Sequence, residues 1–213
     1  MLSLANSLYL LLEQTQIPEF DSFDKFNLWL KRQSFPVLGK GSARIVYDLK
    51  DGTVLKALLN DYYVEHNTDE IEIIQCMNGE FCPELIDWDK KNFWWLRLEK
   101  LYRITREELY EYWVIEKKLP DISVLRPGTH KESSFSVLFP DLLYMLAANK
   151  PFPSSWNKEF MRREEILKIP EIAKLVELFR KCKFDPTDLG FSNWSKTKDG
   201  RIVISDLGGF RLR

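Results

Sequence analysis

The sequence predicts an α+β chain in which a small β-sheet region precedes a mainly helical one. Three observations lead there. Val37 to Leu59 is rich in strand-formers and carries a hairpin turn at Lys50-Asp51-Gly52, where Asp-Gly tolerates the positive φ of a tight type I′ turn. Pro170 to Cys182 places Ile172, Leu175, Val176 and Phe179 on one helical face, with proline in the first turn. A second hairpin follows, Trp194–Lys196 and Arg201–Ser205 around Lys198-Asp199-Gly200.

Composition narrows the class. The 213 residues suffice for one good core or two small ones. Thirty-one Lys and Arg against thirty-two Asp and Glu give no support to a nucleic-acid binder. Three cysteines, Cys76, Cys82 and Cys182, with His66 and His130, match neither a disulfide framework nor zinc spacing. They predict reduced thiols in or near a core and a reducing cytoplasm. The apolar run Leu2 to Leu12 has no basic segment before it and meets Glu13. It is too short to span a bilayer and reads as a packed helix, and no other run predicts a membrane span.

In chain order, residues 2 to about 32 read as two helices broken at Ile17-Pro18, the second with Phe23, Phe26 and Leu30 on one face. Thr53, Val54 and Leu55 resume a strand after the first hairpin turn. Residues 68–78 read as a short helix with Thr68 as N-cap and Gly79 near its end. Phe93 to Leu101 reads as a buried strand. Thr105 to Lys118 reads as a helix opened by a Thr105–Glu108 capping box. Residues 119–136 are loop-like, with Pro120 and Pro127-Gly128, and Asp141 to Asn149 is a further helix.

Several segments carry polar chemistry. Leu38-Gly39-Lys40-Gly41-Ser42-Ala43-Arg44-Ile45-Val46-Tyr47 sets two glycines where backbone can approach a phosphate closely. A dinucleotide-binding turn needs glycine, not Arg44, and a helix afterwards. A Walker A loop needs Ser or Thr, not Gly41, after Lys40. Alone, the segment also fits a plain hairpin turn. Val54-Leu55-Lys56-Ala57 ends the next strand, and Glu70 and Glu72 follow on the helix. Near the end, Asp188-Leu189-Gly190-Phe191-Ser192-Asn193 has D-x-x-x-x-N spacing, and Ile204-Ser205-Asp206-Leu207-Gly208 closes the second hairpin. Asn193 and Asp206 lie thirteen residues apart.

Taken in order, these segments resemble the protein-kinase-like superfamily over Val37 to Phe210, and its compact bacterial, phage or RIO-like atypical kinases in particular. The resemblance implies a bilobal fold, with a small N-terminal β-sheet lobe plus helix C and a minimal, truncated, mainly helical C-lobe. It implies ATP and Mg²⁺ as cofactors. Gly39, Gly41 and Ser42 would lie over the phosphates, and Lys56 would contact the α- and β-phosphates. Glu70, with Glu72 as its rival, would orient Lys56. Leu98 would be the gatekeeper, with the Glu99 carbonyl and Leu101 amide meeting adenine. Asn193 and Asp206 would hold metal, and Asp188 would take the proton of an acceptor hydroxyl. The implied activity is phosphotransfer to a protein or small-molecule hydroxyl. The alternative is a non-catalytic pseudokinase that binds nucleotide or a protein partner.

The sequence departs from the family in places. Pro186-Thr187 replaces the His-Arg that precedes the catalytic Asp. Arg44 replaces the third glycine and predicts a bulkier phosphate loop. Five residues follow Gly208, so the activation segment and later helices are expected to be missing. Substrate contacts would then come from residues 102–170, the N-terminal helices or a partner chain. The expected organisation is an N-terminal helical extension (1–34), a kinase-like N-lobe (35–101) and a minimal C-lobe (102–213).

Overall fold

Ser22 opens the first described helix of the computed structural model, α1 (Phe23–Gln33), by accepting a hydrogen bond from Lys25 N through its hydroxyl. The structure describes residues 15–125, 129–153, 156 and 162–208. The helix expected before Ile17 lies outside the described residues. The chain divides into two compact units, Met1–Thr68 with Glu84–Lys100, and Asp69–Pro83 with Leu101–Arg213.

The first unit is built on a five-stranded antiparallel sheet of β1 (Val37–Lys40), β2 (Arg44–Asp48), β3 (Thr53–Leu58), β4 (Leu85–Trp88) and β5 (Trp95–Glu99). Its strand order is β1-β2-β3-β5-β4. Period-two alternation sends Ile45, Tyr47, Leu55, Ala57 and Trp95 to one face, as the pairs Tyr47↔Leu55, Ile45↔Ala57 and Ala57↔Trp95 require. The apolar stripe of α1, Phe26 and Leu30, joins that face in one core with Leu49, Leu58 and Trp94. Phe26 stacks on Trp94 with ring centroids 6.2 Å apart, and Phe23 meets Trp94 edge-on. Phe26→Ala should cost roughly 3–5 kcal/mol by cavity formation, read as a lower urea midpoint at an unchanged m-value.

The first hairpin differs from the expected two-residue turn. β2 ends at Asp48 and β3 starts at Thr53, so four residues connect them. Positive φ falls on Lys50 and Gly52 rather than on Asp51. The Asp51 carboxylate instead accepts bonds from Thr53 N and Oγ1, at 3.0 and 2.5 Å. Such side-chain capping competes with the tight turn. β4 was not foreseen, because Leu-Ile-Asp-Trp is too short to show a period. The expected strand over 93–101 is shorter: Phe93 adopts φ 58°, and the buried Asn67 donates to its carbonyl at 2.8 Å.

Helix α2 (Val64–Met77) begins four residues before the expected N-cap, after a 3-10 turn Asp61–Tyr63 capped by Asn60. Thr68 is therefore interior, and its hydroxyl donates to the Val64 carbonyl at 3.0 Å. Gly79, at φ 82°, follows the helix as expected.

The second unit is mainly helical. Thr105 and Glu108 form the expected capping box at α3 (Arg106–Tyr110), which continues as a π-helix, Glu111–Glu116. The segment read as loop over 119–136 holds a 3-10 turn, Ile122–Leu125, and the start of α4 (Lys131–Ala147). That helix begins ten residues before the expected Asp141. Pro140 sits buried inside the helix with Phe135, Phe139 and Leu143; packing outweighs the missing N–H. Pro127-Gly128 lies outside the described residues. After α5 (Arg163–Ile166), α6 (Pro170–Lys181) buries Ile172, Leu175, Val176 and Phe179 as the periodicity predicted.

A three-stranded sheet completes this unit, with β6 (Tyr102–Arg103), β7 (Trp194–Lys196) and β8 (Ile202–Ile204) in order. Its core is aromatic: Trp113, Phe135, Phe139 and Trp194 lie with neighbouring centroids 5.0 to 6.0 Å apart.

The cysteines correct the sequence expectation. Cys76, in α2, and Cys182, the C-cap of α6, form a disulfide with their Cα atoms 5.7 Å apart. The two are 106 residues apart in sequence, a range at which no local spacing reveals a pair. Cys82 is buried and lies outside the bridge. No described helix is long and apolar enough to cross a membrane.

Candidate functional site

The strand register of the first unit sets the glycine loop beside the lysine. Gly39 pairs with Val46, Val46 with Lys56, and Lys56 with Leu96. These four residues form one cross-strand row, and the side chains of Val46, Lys56 and Leu96 share the face opposite the α1 core. Lys56 is 8% exposed, on a strand buried along its whole length. Two positions along, Val54 pairs with Leu98, which puts Val54 and Leu98 on the same face as Lys56. Sequence reasoning did not single out Val46 or Val54 as site residues. For Val54 the signal was present, since it lies two positions from Lys56 on one strand and alternation puts both on one face; the place of Val46 follows only from the β2–β3 register.

Gly41 N donates to the Arg44 carbonyl at 2.8 Å, closing the loop Gly41-Ser42-Ala43-Arg44. A Cβ added at Gly39 would meet nothing within 4 Å, and one at Gly41 only the Arg44 carbonyl at 3.8 Å. Neither glycine has a positive φ. The fold itself therefore makes no demand for glycine at either position, and the bare backbone leaves room for a ligand group to approach. Arg44 does not crowd the loop as expected. It is buried, and its guanidinium donates to the His66 carbonyl at 3.5 Å.

At the end of β5, Glu99 is half-buried and its carboxylate accepts from Glu84 N at 2.9 Å. Lys100 bonds Asp48 at 2.7 Å, and this hydrogen bond first, then the Lys50 N–H, holds the Asp48 carboxyl below its usual range.

The second unit holds the remaining candidates. Glu70 is fully buried in α2; Glu72, its rival, is exposed. Leu101 follows β5 and is half-buried. Asp188 ends a 3-10 turn, Pro186–Asp188, whose N-cap Asp185 accepts from Thr187 N at 3.0 Å. The side chain of Asp188 lies outside the described residues. Asn193 ends a second 3-10 turn, Phe191–Asn193. The pairs Trp194↔Ile204, Ser195↔Val203 and Lys196↔Ile202 then bring the hairpin back. Beyond its last pair, Ser205 N donates to the Asn193 carbonyl at 2.7 Å. Asn193 thus stands opposite Ser205, and Asp206 is the next residue. The register is the physical reason for the thirteen-residue separation.

Glu108 does more than cap α3. One of its oxygens accepts from Thr105 N at 2.7 Å, and the other bonds Lys196 Nζ on β7. The Lys196 bond first, and then Thr105 N–H, hold its carboxyl below the usual range. A charge pair thus ties the hairpin that follows Asn193 to the helix after β6. The capping motif was legible in sequence, but the long-range partner was not.

The site candidates accordingly divide between the units. Gly39, Gly41, Ser42, Lys56, Leu98 and Glu99 belong to the first, and Glu70, Leu101, Asp188, Asn193 and Asp206 to the second. Asn193 and Asp206 offer hard oxygens, the donor type that Mg²⁺ takes in small number when phosphates complete its shell.

No protein-family model and no curated protein matches the chain. Among solved structures, SAICAR-synthase from Saccharomyces cerevisiae, complexed with SAICAR, is similar with TM-score 0.38 and 14% identity, over 90% of this chain and 75% of that chain. An overlap so loose bears on no residue's role.

Proposed function

We propose that this chain is an ATP- and Mg²⁺-dependent phosphotransferase that moves a γ-phosphoryl group to a hydroxyl of a protein or small molecule. The reading is supported chiefly by the row Gly39–Val46–Lys56, which sets an open backbone loop beside a buried lysine. Lys56 supplies positive charge for the α- and β-phosphates, and the Gly39–Ser42 loop supplies backbone N–H groups. Val46, Val54 and Leu98 form the apolar wall for a purine, with the Glu99 carbonyl and Leu101 N–H for its polar edge. Glu70 is the carboxylate assigned to orient the lysine. Asn193 and Asp206 hold Mg²⁺, which neutralises phosphate charge when bound. Asp188 accepts the proton of the acceptor hydroxyl. The proposed compartment is a reducing cytoplasm.

Pro186-Thr187, in place of His-Arg, favours a second reading, a nucleotide-binding scaffold without transfer. A thermal-shift titration followed by intact-mass analysis separates the two. Mg²⁺–ATP should raise the melting midpoint, because a ligand that binds only the native state stabilises it by mass action. A phosphate adduct on the chain or on an added hydroxyl acceptor then supports transfer. Stabilisation without any adduct supports the scaffold, and an AMP adduct points to nucleotidyl transfer instead. No stabilisation at millimolar Mg²⁺–ATP would rule out both nucleotide readings.

A further inference from the structure

We propose that the Cys76–Cys182 disulfide is a redox-responsive staple that sets the mobility of the helix carrying Glu70. The inference rests on the phosphotransferase reading only for the role given to Glu70. Its physical basis lies wholly within the second unit.

Cys76 stands in the last turn of α2, six residues after Glu70. Cys182 caps α6, and from there Lys183, at φ 52°, turns the chain into Phe184 and the Pro186–Asp188 turn. The bridge therefore joins the end of the Glu70 helix to the point where the Asp188–Asn193 segment departs. The chain after α2 is also held by non-covalent links. Glu80 pairs with Lys174 on α6 at 2.6 Å, the Gly79 carbonyl accepts from Arg201 at 3.3 Å, and the Phe81 carbonyl accepts from Ile204 N at 2.8 Å. The Glu80–Lys174 pair is about half exposed on both sides, and such pairs contribute little. The disulfide is the covalent member of this set and the one that a change of redox state can remove.

The chemistry of removal is defined. Cys182 is 7% exposed, whereas Cys76 is partly open, so a low-molecular-weight thiolate attacks the Cys76 sulfur. The S–S bond breaks, and Cys182 leaves as a thiolate and takes a proton. A second low-molecular-weight thiol then displaces Cys76 from the mixed disulfide. The products are two cysteine thiols and one disulfide of the small thiol, whose two molecules supply both electrons. In a reducing compartment such a bridge exists only transiently, the regime in which disulfides act as sensors. The oxidised protein is the stapled state, and the reduced protein holds α2 by non-covalent links alone.

Hydrogen exchange on the full chain, oxidised and after treatment with dithiothreitol, tests this. Intact mass reports the two hydrogens gained on reduction. Amides of residues 71–77 should exchange about tenfold faster in the reduced protein, by the opening of a local unit, while β3 keeps its protection. The double variant Cys76→Ser/Cys182→Ser should match the reduced protein in oxidising buffer. Equal exchange of 71–77 in the two redox states overturns the proposal. So does loss of protection that reaches β3, which would make the bridge a clamp on the whole fold. A Mg²⁺–ATP titration of both forms keeps the two ideas apart: no binding by either form sinks the phosphotransferase reading, and the exchange difference still decides the staple.

Discussion

Asp206→Ala is expected to remove Mg²⁺-dependent phosphate transfer to the limit of detection, and Lys56→Met to lower it by roughly 10²–10³-fold. Both losses follow from where charge must be neutralised. Asp206 supplies the one carboxylate of the proposed metal pair. Its removal leaves the hairpin intact, because backbone bonds set the register and Ser205 N still meets the Asn193 carbonyl. Lys56 lies on a strand buried on both faces, so truncation to alanine would also open a cavity. Methionine keeps the stem and removes the charge, which separates packing from chemistry. The measurement is phosphate incorporation with ATP and Mg²⁺, beside a melting curve for each variant. Wild-type turnover in folded Asp206→Ala would sink the assignment of the site.

The second large effect is on stability. Asp51→Ala should destabilise the protein by roughly 3–5 kcal/mol, because it leaves the Arg97 guanidinium buried without its carboxylate. Arg97 Nη2 bonds Asp51 at 2.5 Å, Nε bonds the Thr53 hydroxyl at 2.8 Å and Nη1 bonds the Thr15 carbonyl at 3.0 Å. Their side chains are 7% and 12% exposed. The double variant Asp51→Ala/Arg97→Met should be more stable than Asp51→Ala alone, since it buries no unpaired charge. Urea unfolding of the three proteins decides this, and a double variant less stable than the single one contradicts it.

The same carboxylate predicts a pH dependence. Burial by itself raises the pKa of Asp51, but bonds from Thr53 and Thr15 N and the charge of Arg97 outweigh it and leave the pKa below the ordinary 3.8. The folded state therefore binds fewer protons at this group than the unfolded state does. Its stabilisation is complete above the ordinary value and is lost as pH falls through the lower, folded value. Acid unfolding should accordingly be less steep in Asp51→Asn than in the wild type.

Much of the fold could be read in the chain because its signals were local. The 3.6-residue period of Ile172, Leu175, Val176 and Phe179, the Thr105–Glu108 capping box and the strand-formers along β2 and β3 each reflect chemistry within a few residues. The failures share a cause as well. The start of α4 fell within a segment read as loop on Pro120 and Pro127-Gly128, signals that carry no information about the packing of Phe135 and Phe139 that holds the helix. Thr68 looked like a cap because the Asn60-capped turn upstream has no apolar period. The candidate site was readable as an order of residue types. Its register, by contrast, is a property of paired strands. The pairing of Val46 with Lys56 and of Val54 with Leu98, the Glu108–Lys196 link and the Cys76–Cys182 bridge join positions well apart in sequence.

The wide turn after α3 fixes chain length at one place. Lys117 N reaches back five residues to the Tyr112 carbonyl at 3.0 Å, so the Glu111–Glu116 segment takes up one residue more than an ordinary helical ladder would. Trp113 sits within that surplus, fully buried, with its ring 5.0 Å from Phe139 and 6.0 Å from Trp194. Losing a single residue just before it would let the ladder relax to regular spacing and swing the indole by roughly 100° about the axis. A deletion that looks harmless in an alignment would thus turn a fully buried tryptophan of the second unit out of its socket, next to the residue that follows Asn193.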